Sequence, residues 1–398
     1  MNLLYDLISM QYSPTGGSEY VFCVLTKLMD FLKKDNTSST TVFGLFDSQR
    51  NIPAFLSDFI NKNSIVIVDL AKENLPVFIK KNKISTLYIG SAQTYSDVDL
   101  SNLPCKIIAT CHDINELPLL YDKNFTSKAR KKLEPNPHPF IQSFKEFIKY
   151  FLHIFIEKKY ITHIHKKYQK LEVLFQLKNM HIVTVSEYSK YAMLYYFNNI
   201  ANPITVLSPP HKVVLANTEH GIENQALQEL IDSKKKYFLL VSCTRFHKNA
   251  ALFAEIWDKF CSATNYAYYG VLVGNIEVHK KNLIQLPYLS GYDLEQAFNN
   301  AFCLVYPTVA EGYGAPPMEA MKYGVPCICS NVTSLAEVYG DGSTVQFSPY
   351  YPEDLFRAMM YFLEHEEEYK IRALKKFAQL DEKQERDTET LVQMILNG

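Results

Sequence analysis

Short, continuous apolar runs alternate with longer stretches of helical periodicity, and they do so in two consecutive series. In the first series the strand-like runs are Leu3–Ile8, Thr41–Phe46, Ser64–Val68, Thr86–Ile89, Lys106–Thr110, Ile182–Val185 and Ile204–Leu207. In the second they are Tyr237–Ser242, Tyr269–Val273, Phe302–Tyr306, Val325–Ser330 and Thr344–Phe347. Runs without polar alternation predict strands buried on both faces, which is the signature of a parallel sheet covered by helices. The stretch Ser18–Leu32 supplies one such cover, with Val21, Val24, Leu25, Leu28 and Leu32 on a single helical face. Two series of this kind in 398 residues predict two doubly wound α/β domains, because a single core stops growing well below that length. The expected division is 1–208, 209–380 and a C-terminal helix over 381–398 that packs back toward the first domain. The polar stretch Ser208–Lys236, opening with Pro209-Pro210, carries the connection.

Composition narrows the function. A chain with 47% hydrophobic and 21% charged residues has enough apolar surface to fold, which excludes a disordered or collagen-like protein. The formal net charge of −1 gives no global case for nucleic acid. No apolar run reaches the roughly 18 residues of a membrane span, and Met1-Asn2-Leu3-Leu4-Tyr5-Asp6 lacks the basic start of a secretion signal. The expectation is a soluble protein of the cytoplasm. The eight cysteines form no C-x-x-C pair and mostly sit in apolar runs, so they read as small buried hydrophobes in a reducing compartment. Charge is nevertheless uneven. Tyr121–Met180 holds 13 Lys/Arg against 5 Asp/Glu, a net of +8. Within it Phe140, Phe144, Phe147, Ile148, Phe151 and Phe155 recur at helical spacing with Lys145, Lys149, Lys158 and Lys159 between them. A core-packed helix with a solvated basic face accounts for this pattern. So does peripheral contact of residues 140–170 with an anionic membrane at its inner face, or with a phosphorylated acceptor.

The stretch with most chemistry in it runs from Tyr306 to Ala320: Tyr306-Pro307-Thr308-Val309-Ala310-Glu311-Gly312-Tyr313-Gly314-Ala315-Pro316-Pro317-Met318-Glu319-Ala320. A strand ends, a loop follows, and a helix is expected to start near Pro316 or Pro317 with Glu319 in its first turn. Gly312 and Gly314 remove side chains where backbone amides meet an anion. Glu319 is suited to accept hydrogen bonds from neighbouring hydroxyls, as on a ribose, while Glu311 sits nearer the other end of the ligand. The plainer alternative leaves Glu319 as a partner of the helix dipole and Glu311 as a solvated loop residue.

These residues, followed by Ala320-Met321-Lys322-Tyr323-Gly324-Val325-Pro326 and Ser334-Leu335-Ala336-Glu337-Val338, resemble the retaining nucleotide-sugar glycosyltransferases of glycosyltransferase family 4. The resemblance covers most of the second half, from about Tyr237 to Arg357, and recurs more faintly in the first half. It implies the GT-B fold, two facing Rossmann-like domains with an interdomain cleft. It implies that Glu319 holds the donor ribose, and that Glu311 with the amides of Gly312, Tyr313 and Gly314 contacts the donor sugar and diphosphate. In Ser242-Cys243-Thr244-Arg245-Phe246-His247-Lys248-Asn249, Arg245 and Lys248 resemble the family's diphosphate-binding pair, although Ser242-Cys243 stands where the family more often has Gly-Arg. Two cations at a strand end neutralise a departing diphosphate, which is the physical reason for the pattern. Gly16-Gly17, expected in a turn before the first helix, resembles the family's glycine-pair loop beside the donor phosphates. His112, in Cys111-His112-Asp113 after Lys106–Thr110, resembles the family's active-site histidine. Ser186 reads as a helix cap and a weak contact. Tyr288 and Leu289, in Pro287-Tyr288-Leu289, are expected to give backbone contacts to the nucleobase.

The resulting expectation is a glycosyltransferase that moves a hexose-type sugar from a nucleoside-diphosphate sugar to a saccharide or lipid-linked acceptor in surface polysaccharide biosynthesis. His112, Glu311 and Lys248 would carry the chemistry, with no cofactor and no metal. A metal-dependent transferase of the GT-A type would use a carboxylate pair such as Asp97-Val98-Asp99, which reads instead as a solvated loop. A sugar-nucleotide epimerase or hydrolase, and a non-catalytic sugar-nucleotide-binding protein, stand as alternatives.

Overall fold

The computed structural model describes residues 2–12, 16–34, 40–121, 161–212, 221–289 and 291–397. The chain divides into two compact units. The first comprises Met1–Asp122, Arg130–Val213 and Lys383–Gly398, and the second chiefly Val214–Glu382.

The first unit is built on a seven-stranded sheet of β1 (Asn2–Asp6), β2 (Thr41–Phe46), β3 (Val66–Asp69), β4 (Ile84–Ile89), β5 (Lys106–Cys111), β6 (Met180–Thr184) and β7 (Ile204–Val206). Every pairing is parallel and the spatial order is β3-β2-β1-β4-β5-β6-β7. The continuous apolar runs become buried strands, as their lack of alternation requires, with Leu3, Leu4, Leu87, Ile89, Ile107 and Ile108 at 0–1% exposure or fully covered. Val21, Val24, Leu25 and Leu28 of the helix Gly16–Lys34 are likewise fully buried, so the predicted face is the face that packs.

The second unit holds a six-stranded parallel sheet of β8 (Tyr237–Leu240), β9 (Tyr269–Val273), β10 (Leu283–Leu286), β11 (Cys303–Tyr306), β12 (Cys327–Ser330) and β13 (Val345–Phe347), ordered β10-β9-β8-β11-β12-β13. Strand β10 is absent from the sequence expectation, because four residues flanked by Lys280-Lys281-Asn282 carry too little apolar signal. An aromatic cluster fills one side of the sheet. Phe238 meets the rings of Phe260, Phe302 and Phe362 edge-on at 5.2, 5.4 and 6.3 Å. Each such buried ring is worth about 1.5–3 kcal/mol of transfer energy.

All eight cysteines are free and buried, in keeping with the sequence reading. Among the described residues no helix is long and apolar enough to cross a membrane. The row Phe140–Phe155 with Lys145, Lys149, Lys158 and Lys159 lies outside the described residues.

Candidate active site

In open parallel sheets ligands gather beyond the carboxyl ends of the strands where the order reverses. That point falls between β8 and β11 in the second sheet and between β1 and β4 in the first.

At the β8/β11 point the chain places Lys248 against Glu311. The loop after β8 begins with Ser242 at φ 58°, a left-handed conformation that glycine adopts without cost. This is where the family more often has glycine, so Ser242 carries a small backbone strain in its stead. Cys243, its neighbour, is buried and its amide donates to Val273 O at 2.9 Å. Gly274, the residue after β9, has φ 127°, and a Cβ there would stand 3.1 Å from the amide nitrogens of Cys243 and Thr244. No sequence signal marked it. The loop then makes a single 3₁₀ turn, Phe246–Lys248, whose His247 carbonyl accepts from Val309 N at 2.8 Å and lies 3.0 Å from Thr308 Oγ1. Those bonds fasten the segment bearing Lys248 to the one bearing Glu311.

The two charges make a buried ion pair. Lys248 Nζ donates to Glu311 Oε1 at 2.6 Å, and the two side chains are 8% and 12% exposed. Lys248 also donates to the Tyr306 hydroxyl, which itself donates to Glu311 Oε1 at 2.9 Å. Thr308 Oγ1 lies 2.8 Å from the same oxygen. Oε1 is thus surrounded by donors, while Oε2 makes no hydrogen bond among the described residues. Burial would raise the Glu311 pKa, but the positive field of Lys248 and His247 and the hydrogen bonds from Lys248 and Thr308 outweigh it, so the carboxyl sits below its ordinary value. Burial, and then the Glu311 charge, push Tyr306 well above the usual phenol range, which keeps it a donor.

The Glu311 backbone is held as firmly as its side chain. Its amide donates to Thr333 Oγ1 at 3.1 Å, and its carbonyl accepts from Ser334 Oγ at 3.0 Å. Gly312, Tyr313 and Gly314 are buried. Gly314 stands at φ 86° before the helix Ala315–Met321, and a Cβ on it would come within 2.3 Å of Leu335 Cδ2. The helix begins at Ala315, one residue before the expected start, so Glu319 falls in its second turn rather than its first. The reason is that Pro316 and Pro317 both fit the first helical positions, where no amide donor is needed. Glu319 is half-buried, and its charge is felt at the Tyr306 hydroxyl.

Other candidates lie around this core. Arg245 is exposed and makes no ion pair among the described residues, unlike Lys248. Asn249 occupies the N-cap position of the helix Ala250–Ala263, yet its side chain leaves the cap and donates to Pro349 O at 3.0 Å. Leu289 is buried, whereas Tyr288 is 77% exposed on the loop after β10.

In the first unit His112 follows β5 at the same end of its sheet. Its Nε2 lies 3.0 Å from Gly90 O, the residue after β4, and its ring packs edge-on against Tyr20 at 4.6 Å. Burial pushes its pKa down to about 4, against a smaller upward pull from the Gly90 carbonyl, so the imidazole is neutral near pH 7. Because a carbonyl can only accept, Nε2 must carry the proton, which leaves Nδ1 as an acceptor. Gly16 and Gly17 are the first two residues of the helix Gly16–Lys34, not part of the turn before it. Two glycines are tolerated there because a first helical turn has no preceding turn to complete. Ser186 caps the helix Glu187–Tyr196 by accepting from Ser189 N at 3.1 Å. Asp97 pairs with Lys170, and Asp99 accepts from Ser101. Both carboxylates of that D-x-D are exposed in a loop, as expected, each with a surface partner.

The sequence signals for Glu311, Lys248 and His112 came from their place in strand-end loops and from the family resemblance. Tyr306, Thr308, Thr333 and Ser334 carried none, since each reads as a strand end or a turn residue until tertiary structure brings it to Glu311.

Comparison with known proteins bears on the fold and on the segment that carries these residues. Residues 221–379 match the family of glycosyl transferases group 1. The chain is 22% identical over 292 residues to the serotype-specific mannosyltransferase WbdA of Escherichia coli, covering 69% of this chain and 31% of that one. It is 26% identical over 248 residues to the O-antigen chain mannosyltransferase RfbU of Salmonella typhimurium, covering 60% of each. The chain thus spans about a third of the length of the WbdA relatives it matches. Among solved structures, Anabaena HepE in complex with UDP and glucose aligns over 100% of both chains with a TM-score of 0.65 and 12% identity. WaaG, a glycosyltransferase involved in lipopolysaccharide biosynthesis, aligns over 100% of both with a TM-score of 0.62 and 11% identity. At such identities the likeness is one of fold, and the fold is GT-B. The likeness to glycosyl transferases group 1 is that of the segment 221–379, within a chain of GT-B fold. The fold class expected from the motifs is the one found, and the family match falls on the segment that carries those motifs.

Proposed function

We propose that the chain is a retaining transferase that moves a hexose, mannose in the first instance, from a nucleoside-diphosphate sugar to a saccharide or lipid-linked acceptor of a surface polysaccharide. The observation that carries this reading is the Lys248–Glu311 pair with Tyr306 and Thr308, assembled where the strand order of the second sheet reverses. A glycosyl donor demands opposite things within a few ångströms: cations for the departing diphosphate, and an anion for the sugar whose anomeric carbon becomes positive. Lys248, helped by the exposed Arg245, serves the diphosphate together with the amides of Gly312, Tyr313 and Gly314. Glu311 turns its unengaged Oε2 to a sugar hydroxyl, and Glu319 holds the ribose. His112, neutral with Nδ1 as acceptor, serves a donor-sugar hydroxyl. Gly16 and Gly17 border the donor phosphates, and the backbone near Tyr288 and Leu289 serves the base. No metal takes part in this reading. Mannose is drawn from the relatives' names, since WbdA and RfbU are mannosyltransferases. The positive charge of the stretch 140–170 in the sequence favours peripheral contact with the anionic inner face of a membrane that presents the acceptor.

The test is a thermal-shift screen across GDP-, UDP- and dTDP-sugars, followed by product analysis with a lipid-linked or free oligosaccharide acceptor. A donor at about 100 times its dissociation constant adds about 2.7 kcal/mol. Stabilisation by one nucleotide class and an α-linked product from an α-linked donor are expected. A chain that no sugar nucleotide stabilises is not a transferase of this kind. Release of free sugar at an unchanged rate with and without acceptors would mark a hydrolase or epimerase.

A further inference from the structure

The point between β1 and β4 holds a buried carboxylate that the reading above does not use. Asp6, the last residue of β1, is fully buried. Its Oδ1 accepts from Ser9 N at 3.0 Å and from Tyr95 Oη at 2.7 Å. Its Oδ2 accepts from Ser9 Oγ and from Gly90 N at 3.1 Å. Four contacts, two on each oxygen, hold the carboxyl at this point, and burial raises its pKa against the lowering pull of the same hydrogen bonds. Ser9 lies in the 3₁₀ turn Ile8–Met10 after β1, and Tyr95 in the 3₁₀ turn Ala92–Tyr95 after β4. One side chain therefore ties together both segments that leave the sheet at this point.

Gly90 passes the constraint on. It donates its amide to Asp6 and offers its carbonyl to His112 Nε2 at 3.0 Å. Its other side is closed, because a Cβ on Gly90 would stand 2.3 Å from Val21 Cγ2. Gly90 is thus clamped between Asp6, the helix Gly16–Lys34 and His112. We infer that Asp6 is a positioning residue for His112, acting through Gly90 to fix the height and direction of the one carbonyl that selects the Nε2–H tautomer and aims Nδ1 outward. This inference deepens the proposed reaction and rests on it for the role of His112, but the positioning itself stands on these contacts alone.

Asp6→Asn is the sharp test, because the two side chains have the same shape. Whichever way the new amide turns, its NH₂ meets a backbone donor that can only donate, Gly90 N on one side or Ser9 N on the other. Long-range ¹H–¹⁵N correlation spectra of histidine-labelled protein read the His112 tautomer directly. Wild type should show Nε2 protonated and Nδ1 bare at neutral pH. Asp6→Asn should show mixed or exchanging His112 tautomers, with the turnover number for sugar transfer down about tenfold or more and the donor KM within about twofold, since about 1 Å of misplacement is enough. Tyr95→Phe is the comparison. It removes one donor from Asp6 but leaves the Gly90 contact, so it should lower the melting temperature while leaving the His112 spectrum as in wild type. An Nδ1–H tautomer in wild type overturns the inference without any variant, as does an unchanged His112 spectrum in a folded Asp6→Asn protein. An altered spectrum with unaltered transfer sustains the positioning and removes His112 from the reaction, so failure of the inference and failure of the proposed function are told apart.

Discussion

The two sheet reversal points of this protein solve the same placement problem with opposite electrostatics. At β8/β11 a lysine and a glutamate are buried together, each charge offset by the other and by hydroxyls. At β1/β4 a lone carboxylate is buried with neutral donors only, and the group it supports, His112, is itself neutral. A buried ion pair is costly to assemble and more costly to break from one side, so the fold by itself gains little from it. A carboxylate ringed by amides and hydroxyls is a rigid post. In the proposed reaction the second unit meets the charged donor, and the first aims a neutral hydrogen-bond acceptor.

The strongest way to break this contrast is Lys248→Ala. Turnover should fall about a hundredfold or more, because the cation stabilises charge that grows in the transition state. Stability should fall by about 3–5 kcal/mol, because Glu311 is left as an uncompensated buried charge. Denaturant unfolding across pH checks the second part. In wild type the folded Glu311 pKa is below its unfolded value near 4.5, so the pair's contribution is complete above that pH and is lost as pH falls through the folded value. Lys248→Ala should flatten that acid limb. A near-native turnover would move the leaving-group role elsewhere.

Next in size is Glu319→Ala, expected to weaken donor binding by about 1.5–3 kcal/mol in calorimetry while the melting temperature holds, as loss of a charge-assisted hydrogen-bond pair requires. Unchanged affinity would remove the ribose assignment. The first unit is sharpened by an NMR titration of His112, which should remain neutral through pH 6 and protonate only about pH 4. Its contribution to stability is present above the unfolded value of 6.5 and fades as pH falls from there toward 4. Protonation near pH 6.5 would contradict the neutral post. The smallest effect belongs to Arg245→Ala. An exposed side chain without an ion pair among the described residues should change turnover severalfold at most, and the change should shrink as salt rises. A loss as deep as that of Lys248→Ala would make Arg245 an equal partner.

Much of this architecture is legible in the amino-acid order. Strands buried on both faces must be apolar throughout, so nearly every strand announced itself, and the spacing from Glu311 to Glu319 after Tyr306 marked the site. The edge strand β10 escaped, because an edge position tolerates the polar residues that hide it. The start of the helix Ala315–Met321 was misplaced by one residue, because two prolines in succession satisfy the same rule and only packing chooses between registers.

What the sequence determined by itself is therefore local: periodicity, the two series, and which charged residues stand at strand ends. What tertiary structure alone decided is who meets whom. Lys248 and Glu311 lie 63 residues apart and read as servants of different ends of a ligand, yet they share one hydrogen bond and one tyrosine. Asp6 and Gly90, 84 residues apart, gave no hint of each other. The physical reason is that a parallel sheet places side by side strands that are remote in the chain. Neighbours at its reversal points are set by strand order, which no local pattern of residues encodes.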